Sequence, residues 1–340
     1  MAFLSSATLR ISARRACRIP NIFAKHSPMQ EAECASRIDR ADWSGRGAQP
    51  IDRKALPHMR IIARVAAAAV LGAALLSTAT AQAAPAGTTI EPPIDCTPTT
   101  AHPNPIVVLP GGDGTPEQTD EQWTPVLTVL RGAGYCTVLF QGGIVNDKRW
   151  NGDIPSEAQQ VADFIAKVRS TTGSEKVEIV AHSAGTIVSN YYLKFLDGAP
   201  TINHAIFLTP EVRGCDGAGV FGLKNPPITP VQLLTALPFL QSALAASSAE
   251  MATAMQMSPT SPLYQSLFGT PVTQPGVTYS AIATRNDQLA TPAPACSTLD
   301  EPGVVNAVYE DLFPGAEPVD HSLIRSSANT AGWVLQQLQR

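Results

Sequence analysis

Charge and aromatic rings are scarce in this chain: 15% of its 340 residues are charged and 6% are aromatic. So little charge excludes a coiled coil, and a hydrophobic share of 44% excludes a disordered chain. Long apolar runs are missing too. The run Val65–Leu76 has 12 residues, short of the roughly 20 that a membrane-spanning helix needs. No G-K-[ST] follows the glycines at 111 and 112, so a phosphate loop is not expected there. No His or Cys cluster has ligand spacing and Asp113 is a lone carboxylate, so no metal is expected. Positive charge is sparse in the body of the chain. Residues 1–83 hold 12 of the 24 Lys and Arg and 5 of the 28 Asp and Glu; the other 257 residues hold 12 basic and 23 acidic side chains, net −11. An acidic body repels phosphates, which disfavours a nucleic-acid partner.

What the N-terminal part does contain is a targeting pattern. From Met59, Arg60 and Arg64 precede the apolar run, and Ala81-Gln82-Ala83 offers small residues at the positions a signal peptidase reads. Residues 59–83 are therefore expected to be a secretory signal peptide cleaved near Ala83, not a stable membrane anchor. Residues 1–58 are Arg-rich and aperiodic, and read as a mis-called start region or an unusually long leader. Export agrees with cysteine use. Cys96, Cys136, Cys215 and Cys296 remain after cleavage; four cysteines allow three pairings, and Cys96–Cys136 with Cys215–Cys296 is the one expected.

Residues 84–105 are rich in Pro and Thr and read as an extended arm. From 106 to 340, apolar strands alternate with helical stretches. Strands are expected at Ile106–Leu109, Cys136–Phe140, Val177–Val180, Ala205–Leu208, Val277–Ala283 and Val304–Tyr309. Helices are expected at Trp123–Gly132, at Ser156–Ser170 with Ser156 as cap, at Thr186–Leu196 and at Ser322–Leu338. That alternation implies an α/β fold with a mainly parallel sheet covered on both faces. Residues 216–276 break it: they are rich in Pro, Ala, Leu and Met, show no clear strand, and read as a cap or lid inserted above the sheet.

The strongest chemical signal is Val177-Glu178-Ile179-Val180-Ala181-His182-Ser183-Ala184-Gly185. A strand enters a tight turn with serine at its apex and a helix follows, as in G-x-S-x-G with Ala181 for the first glycine. A serine hydroxyl is a weak nucleophile at neutral pH and needs a base, which needs an orienting acid. Among six histidines, His26 and His58 lie in the leader, His102 in the arm, His182 is expected to point away from the serine, and His204 reads as structural. His321 is the candidate base. Asp287, past the strand Val277–Ala283, is the candidate acid, with Asp320, Asp300 and Asp311 as rivals. The backbone N–H groups of Ala184 and Gly112 are the candidate oxyanion donors.

The stretches AHPNPIVV (101–108), PGG (110–112), Trp123, GYC (134–136), AHSAGT (181–186), YSAIATRND (279–287) with Pro292, and DHSLI (320–324) resemble secreted α/β-hydrolase lipases of the class 2 type. Pro-Gly at 110–111 is similar to the fungal lipase B subgroup. The resemblance covers most of residues 95–340 and includes Ser183, Asp287 and His321. It implies an α/β-hydrolase fold, carboxylester hydrolysis without a cofactor, and Gly112 as an oxyanion donor, although many relatives have Thr there. The expectation is a secreted serine carboxylester hydrolase, foremost a lipase on acylglycerol or other lipid esters at a lipid–water interface. A short-chain esterase, a polyester depolymerase, an acyltransferase and a non-catalytic lipid-binding module are the alternatives.

Overall fold

The computed structural model describes residues 83–340. The leader and nearly all of the expected signal peptide lie outside the described residues.

Six strands form one parallel sheet: β2 (Ile106–Leu109), β3 (Thr137–Leu139), β5 (Val177–His182), β6 (Ile202–Leu208), β7 (Thr278–Ala283) and β8 (Val305–Val308). Their order is β3-β2-β5-β6-β7-β8, all parallel. The arm is not wholly irregular: β1 (Thr88–Ile90) pairs antiparallel with β4 (Gln141–Ile144), which directly follows β3.

The strands alternate their side chains between two cores, as a pleated sheet requires. Val107 and Leu109 join one apolar cluster, with Val161, Phe164, Ile165 and Val168 of α2 (Ile154–Thr172). Ile106 and Val108 join the opposite cluster, with Trp123, Val126 and Leu130 of α1 (Thr119–Gly132) and with Trp333 and Val334 of α9 (Ala328–Leu338). α3 (Ala184–Phe195) leaves the tip of β5 and packs on the α2 side.

All four expected helix starts move, α1 to Thr119 and α3 to Ala184 among them. α2 begins at Ile154, because Asp153, not Ser156, is its cap: Asp153 Oδ2 accepts from Ser156 N at 3.1 Å and from Ser156 Oγ at 2.8 Å. The last helix is preceded by a 3-10 turn at Leu323–Ser326, and Ser327 then caps α9.

The segment between β6 and β7 carries no strand. It holds α4 (Pro230–Ala236), α5 (Phe239–Ala245), α6 (Ala249–Met257) and α7 (Pro262–Phe268). The short α8 (Tyr309–Leu312) follows β8. Disulfides join Cys96 to Cys136 and Cys215 to Cys296, so the first ties the arm to the start of β3 and the second ties the insertion to the loop after β7. Among the described residues no helix is long and apolar enough to cross a membrane.

Candidate active site

The chain leaves β2 toward β3 on one side and returns to place β5 on the other. The carboxyl ends of β2 and β5 therefore frame a switch point, where an open parallel sheet leaves a crevice. Leu109 and Ala181 are direct partners across it, so the loop after Leu109 and the turn after His182 meet above the sheet.

That turn is tight. Ser183 adopts φ 50° and ψ −128°, a left-handed conformation that a non-glycine residue holds only under constraint. Gly185 permits the turn, since a Cβ there would come within 2.6 Å of Pro110 O and 2.8 Å of Leu109 O. α3 thus starts directly against the β2 backbone, with Ala184 N–H at its unpaired N-terminus.

Residues 183, 287 and 321 meet at this edge. His321 Nε2 lies 2.8 Å from Ser183 Oγ, and His321 Nδ1 lies 2.8 Å from Asp287 Oδ2. The carboxylate can only accept, so Nδ1 carries the hydrogen and Nε2 is free to take the serine proton. Asp287 is itself held, its Oδ1 accepting from the N–H of Leu289 and of Ala290 at 2.8 Å each. Burial opposes charging of His321. The hydrogen bond and charge of Asp287, with the charges of Glu211 and Asp113, outweigh that and raise the imidazole above its ordinary value.

Two of the rival carboxylates, Asp320 and Asp311, are occupied elsewhere. Asp320 Oδ1 accepts from Ser322 N at 2.9 Å and Leu323 N at 2.8 Å, capping the turn that follows His321. Asp311 pairs with Arg285 at 2.7 Å. His204 binds Glu178 at 2.9 Å, a structural contact at the far end of β6. His182 is not remote from the site. Its Nε2 donates to the carbonyl of His321 at 2.7 Å, and the two rings lie 4.9 Å apart. Burial drives its pKa down to about 3, so it is a neutral support under the base.

Gly112 and Ala184 line the same cavity as Ser183, and the Cβ position of Gly112 lies 3.7 Å from Ala184 Cβ. Arg149, fully buried, grips the loop that carries Gly112: it donates to Gly111 O at 2.9 Å, to Thr115 O at 2.6 Å, and to Asp113 O. The cavity has a volume of about 300 Å3 and is mostly apolar, with Val231, Leu234, Met255 and Met257 contributed by the insertion.

Sequence reasoning missed Arg149 and Glu211. Glu211 follows β6 and reaches the cavity wall, where burial raises its carboxyl, with Asp287 adding to the rise and His321 opposing it. A carboxylate placed at the tip of a strand next to the serine strand was the available signal. Nothing in the sequence marks Arg149, since its partners are backbone carbonyls. Among the described residues no three His, Cys, Asp or Glu side chains gather as metal ligands would.

Such an arrangement can activate an alcohol for attack on a carbonyl carbon and hold the oxyanion that results. Residues 103–208 match the family model described as lipase (class 2). The matched stretch runs from β2 through β6 and includes Gly112, Ser183 and Ala184. No curated protein matches the chain. Among solved structures, lipase B of Aspergillus fumigatus is similar at TM-score 0.45 and 15% identity, over 65% of this chain and 49% of that one. The chain thus spans about half the length of that lipase. An esterase of Pyrococcus furiosus is similar at TM-score 0.44 and 14% identity, over 75% and 90% of the two chains. A lipase of Bacillus licheniformis in mature form is similar at TM-score 0.43 and 15% identity, over 75% and 98%. The parallel sheet with helices on both faces has the α/β-hydrolase arrangement, and its segment from β2 through β6 is similar to class 2 lipases.

Proposed function

We propose that this protein is a secreted serine carboxylester hydrolase that acts as a lipase on acylglycerols and related lipid esters. Ser183 Oγ attacks the ester carbonyl, and His321 Nε2 takes its proton and returns it to the leaving alcohol. Asp287 holds the imidazole in the required tautomer. The N–H groups of Gly112 and Ala184 hold the oxyanion, each donor being worth roughly 3 kcal/mol in the transition state. Water then enters by the same route and releases the acid.

The observation that carries this reading is the unbroken pair of 2.8 Å hydrogen bonds from Ser183 through His321 to Asp287. The lipid preference is supported by the apolar cavity and by what surrounds it. Val220, Phe221, Ile228, Leu233 and Phe239 are exposed on the insertion, and Val220 and Phe221 also line the cavity. Exposed apolar side chains beside a polar centre suit a lipid–water interface. Secretion is supported by two disulfides, since such bonds persist in oxidising compartments. Nearly all of the expected signal peptide lies outside the described residues.

Ser183→Ala is expected to lower kcat on p-nitrophenyl esters by about 10⁴-fold or more while the fold persists. Activity retained by that variant would sink the serine mechanism. Rates measured against acyl length, with soluble esters and with an emulsion, test the lipid preference. A steep optimum at acetate with no response to emulsion would reduce the protein to a short-chain esterase.

A further inference from the structure

The loop after β2 and the turn after His321 are separated by about 200 residues, yet a buried network joins them. Asp113, the neighbour of Gly112, accepts through Oδ2 from Ser322 Oγ at 2.6 Å and from Arg325 Nη1 at 2.6 Å. Ser322 is the neighbour of His321. Arg325 also donates to the Ser322 carbonyl at 2.5 Å, so one guanidinium clasps both the carboxylate and the turn. Arg325 is buried. Beneath the clasp, His182 donates to the His321 carbonyl and turns its Nδ1 toward Asp113 Oδ1, 3.6 Å away. From the other side, Arg149 holds the carbonyls of Gly111, Asp113 and Thr115.

A buried ion pair is a poor source of stability, because the desolvation of both charges consumes most of their attraction. Apolar side chains of similar size would hold the two loops together at less cost. A charged clasp does something they cannot: it fixes direction, through hydrogen bonds with defined angles, and it sets the local field. Burial would raise the Asp113 carboxyl, but the Arg325 guanidinium and the Ser322 hydroxyl hold it below its ordinary value, so it stays an anion at working pH. That fixed anion is one of the charges facing His321; the others are Asp287 and Glu211, with the neutral His182 below, Asp320 in its own turn and Arg325 behind Asp113.

We propose that Asp113 and Arg325 form a positioning pair that locks the oxyanion donor Gly112 and the base His321 into one register and sets the basicity of His321. This rests on the serine-hydrolase reading, because it assigns both ends of the clasp to the reaction. Asp113 lines the cavity beside Gly112 and Arg325 lies behind it. They act through the groups they hold.

The two ends of the pair carry opposite charges, which separates this role from simple packing. His321 must be neutral to accept the serine proton, so the acid limb of kcat/KM against pH reports its titration. Asp113→Asn removes an anion that favours the imidazolium, and the limb is expected to move to lower pH. Arg325→Met removes the cation that balances Asp113, and the limb is expected to move to higher pH. In both, kcat on p-nitrophenyl butyrate is expected to fall about 10- to 100-fold with little change in KM, below the loss of a full oxyanion donor. The double variant is expected to return the limb close to the wild-type position.

Limbs that shift the same way in both single variants, or that do not move, overturn the proposal while leaving the serine mechanism intact. Wild-type activity that survives Ser183→Ala overturns the serine reading and this proposal with it. Should a single variant fail to fold, Ser322→Ala removes one hydrogen bond from Asp113 without stranding a charge. Its kcat is expected to drop about tenfold or more, the range of one hydrogen bond to a charged group. An unchanged kcat there overturns the proposal as well.

Discussion

Glu211 is the carboxyl whose place in the cavity invites the most direct test. Its charge helps to raise His321, and burial raises its own carboxyl toward the neutral form. Replacing it by Gln keeps the shape and removes the charge. The expected outcome for Glu211→Gln is a kcat/KM acid limb displaced to lower pH, because the imidazolium loses a stabilising anion. The rate on the alkaline plateau should stay within about tenfold of wild type, since Asp287 still orients the ring. A displacement to higher pH would show that Glu211 does not face His321 as an anion. At this scale much was readable from residue types alone. A serine at a strand–helix turn, a histidine before the last helix and an aspartate past the preceding long strand are chemistry-bearing residues in a chain with few of them. Arg149 was not readable, because an arginine that binds carbonyls leaves no partner of opposite charge to find in the sequence.

The element that bears the reaction is the joint between β5 and α3, and its tightness depends on Gly185. A Cβ at this position would strike two carbonyl oxygens of the neighbouring strand end, Leu109 and Pro110, and neither can move without shifting the loop that carries Gly112. Gly185→Val is expected to lower stability by about 1–3 kcal/mol, the range for overpacking a well-filled site. It should also lower kcat more than its effect on stability alone explains. Urea midpoints and kcat measured on the same preparation check both. An unchanged midpoint would mean that α3 can slide away from β2 at no cost. Strand positions were legible because alternate residues of β2 and β5 are uniformly apolar. The start of α2 was misplaced by two residues, because Asp153 and Pro155 form its first turn and the apolar stripe begins only later.

For the molecule as a whole, the arm meets the body beside the buried Glu157. Its Oε1 accepts from Gly152 N at 2.7 Å, in the same corner where Asp153 N donates to Pro85 O at 2.7 Å. Gly143 must be a glycine there, with φ of 58° and a Cβ position 2.0 Å from Glu157 Oε1. Burial pushes the Glu157 carboxyl up to about 8 from an ordinary value of 4.5. Between those values the folded chain keeps a proton that the unfolded chain has released. Stability therefore falls as pH rises through this window, and the contribution is complete only below the lower value. Glu157→Gln removes this dependence. Its Tm is expected to match wild type near pH 4.5 and to exceed it at pH 8, by about 2–4 °C for each kcal/mol recovered. Thermal melts across that range check it, and a variant that melts lower at pH 8 would show that the carboxylate is paired.

The order of apolar runs, the low charge and the serine turn were enough by themselves to specify an α/β sheet protein with Ser183 and His321 on one rim and Asp287 as the foremost of several candidate acids. Each of those signals is local, or depends only on chain order along a parallel sheet. Which carboxylate reaches the imidazole was decided by tertiary structure: Asp320 is turned inward to cap its own backbone, while Asp287 arrives from the neighbouring loop. The same holds for the clasp of Asp113 and Arg325 and for the grip of Arg149 on the loop after β2. These contacts join residues tens to hundreds of positions apart through hydrogen bonds whose angles depend on the packed sheet, and no periodicity or spacing in a linear chain encodes them.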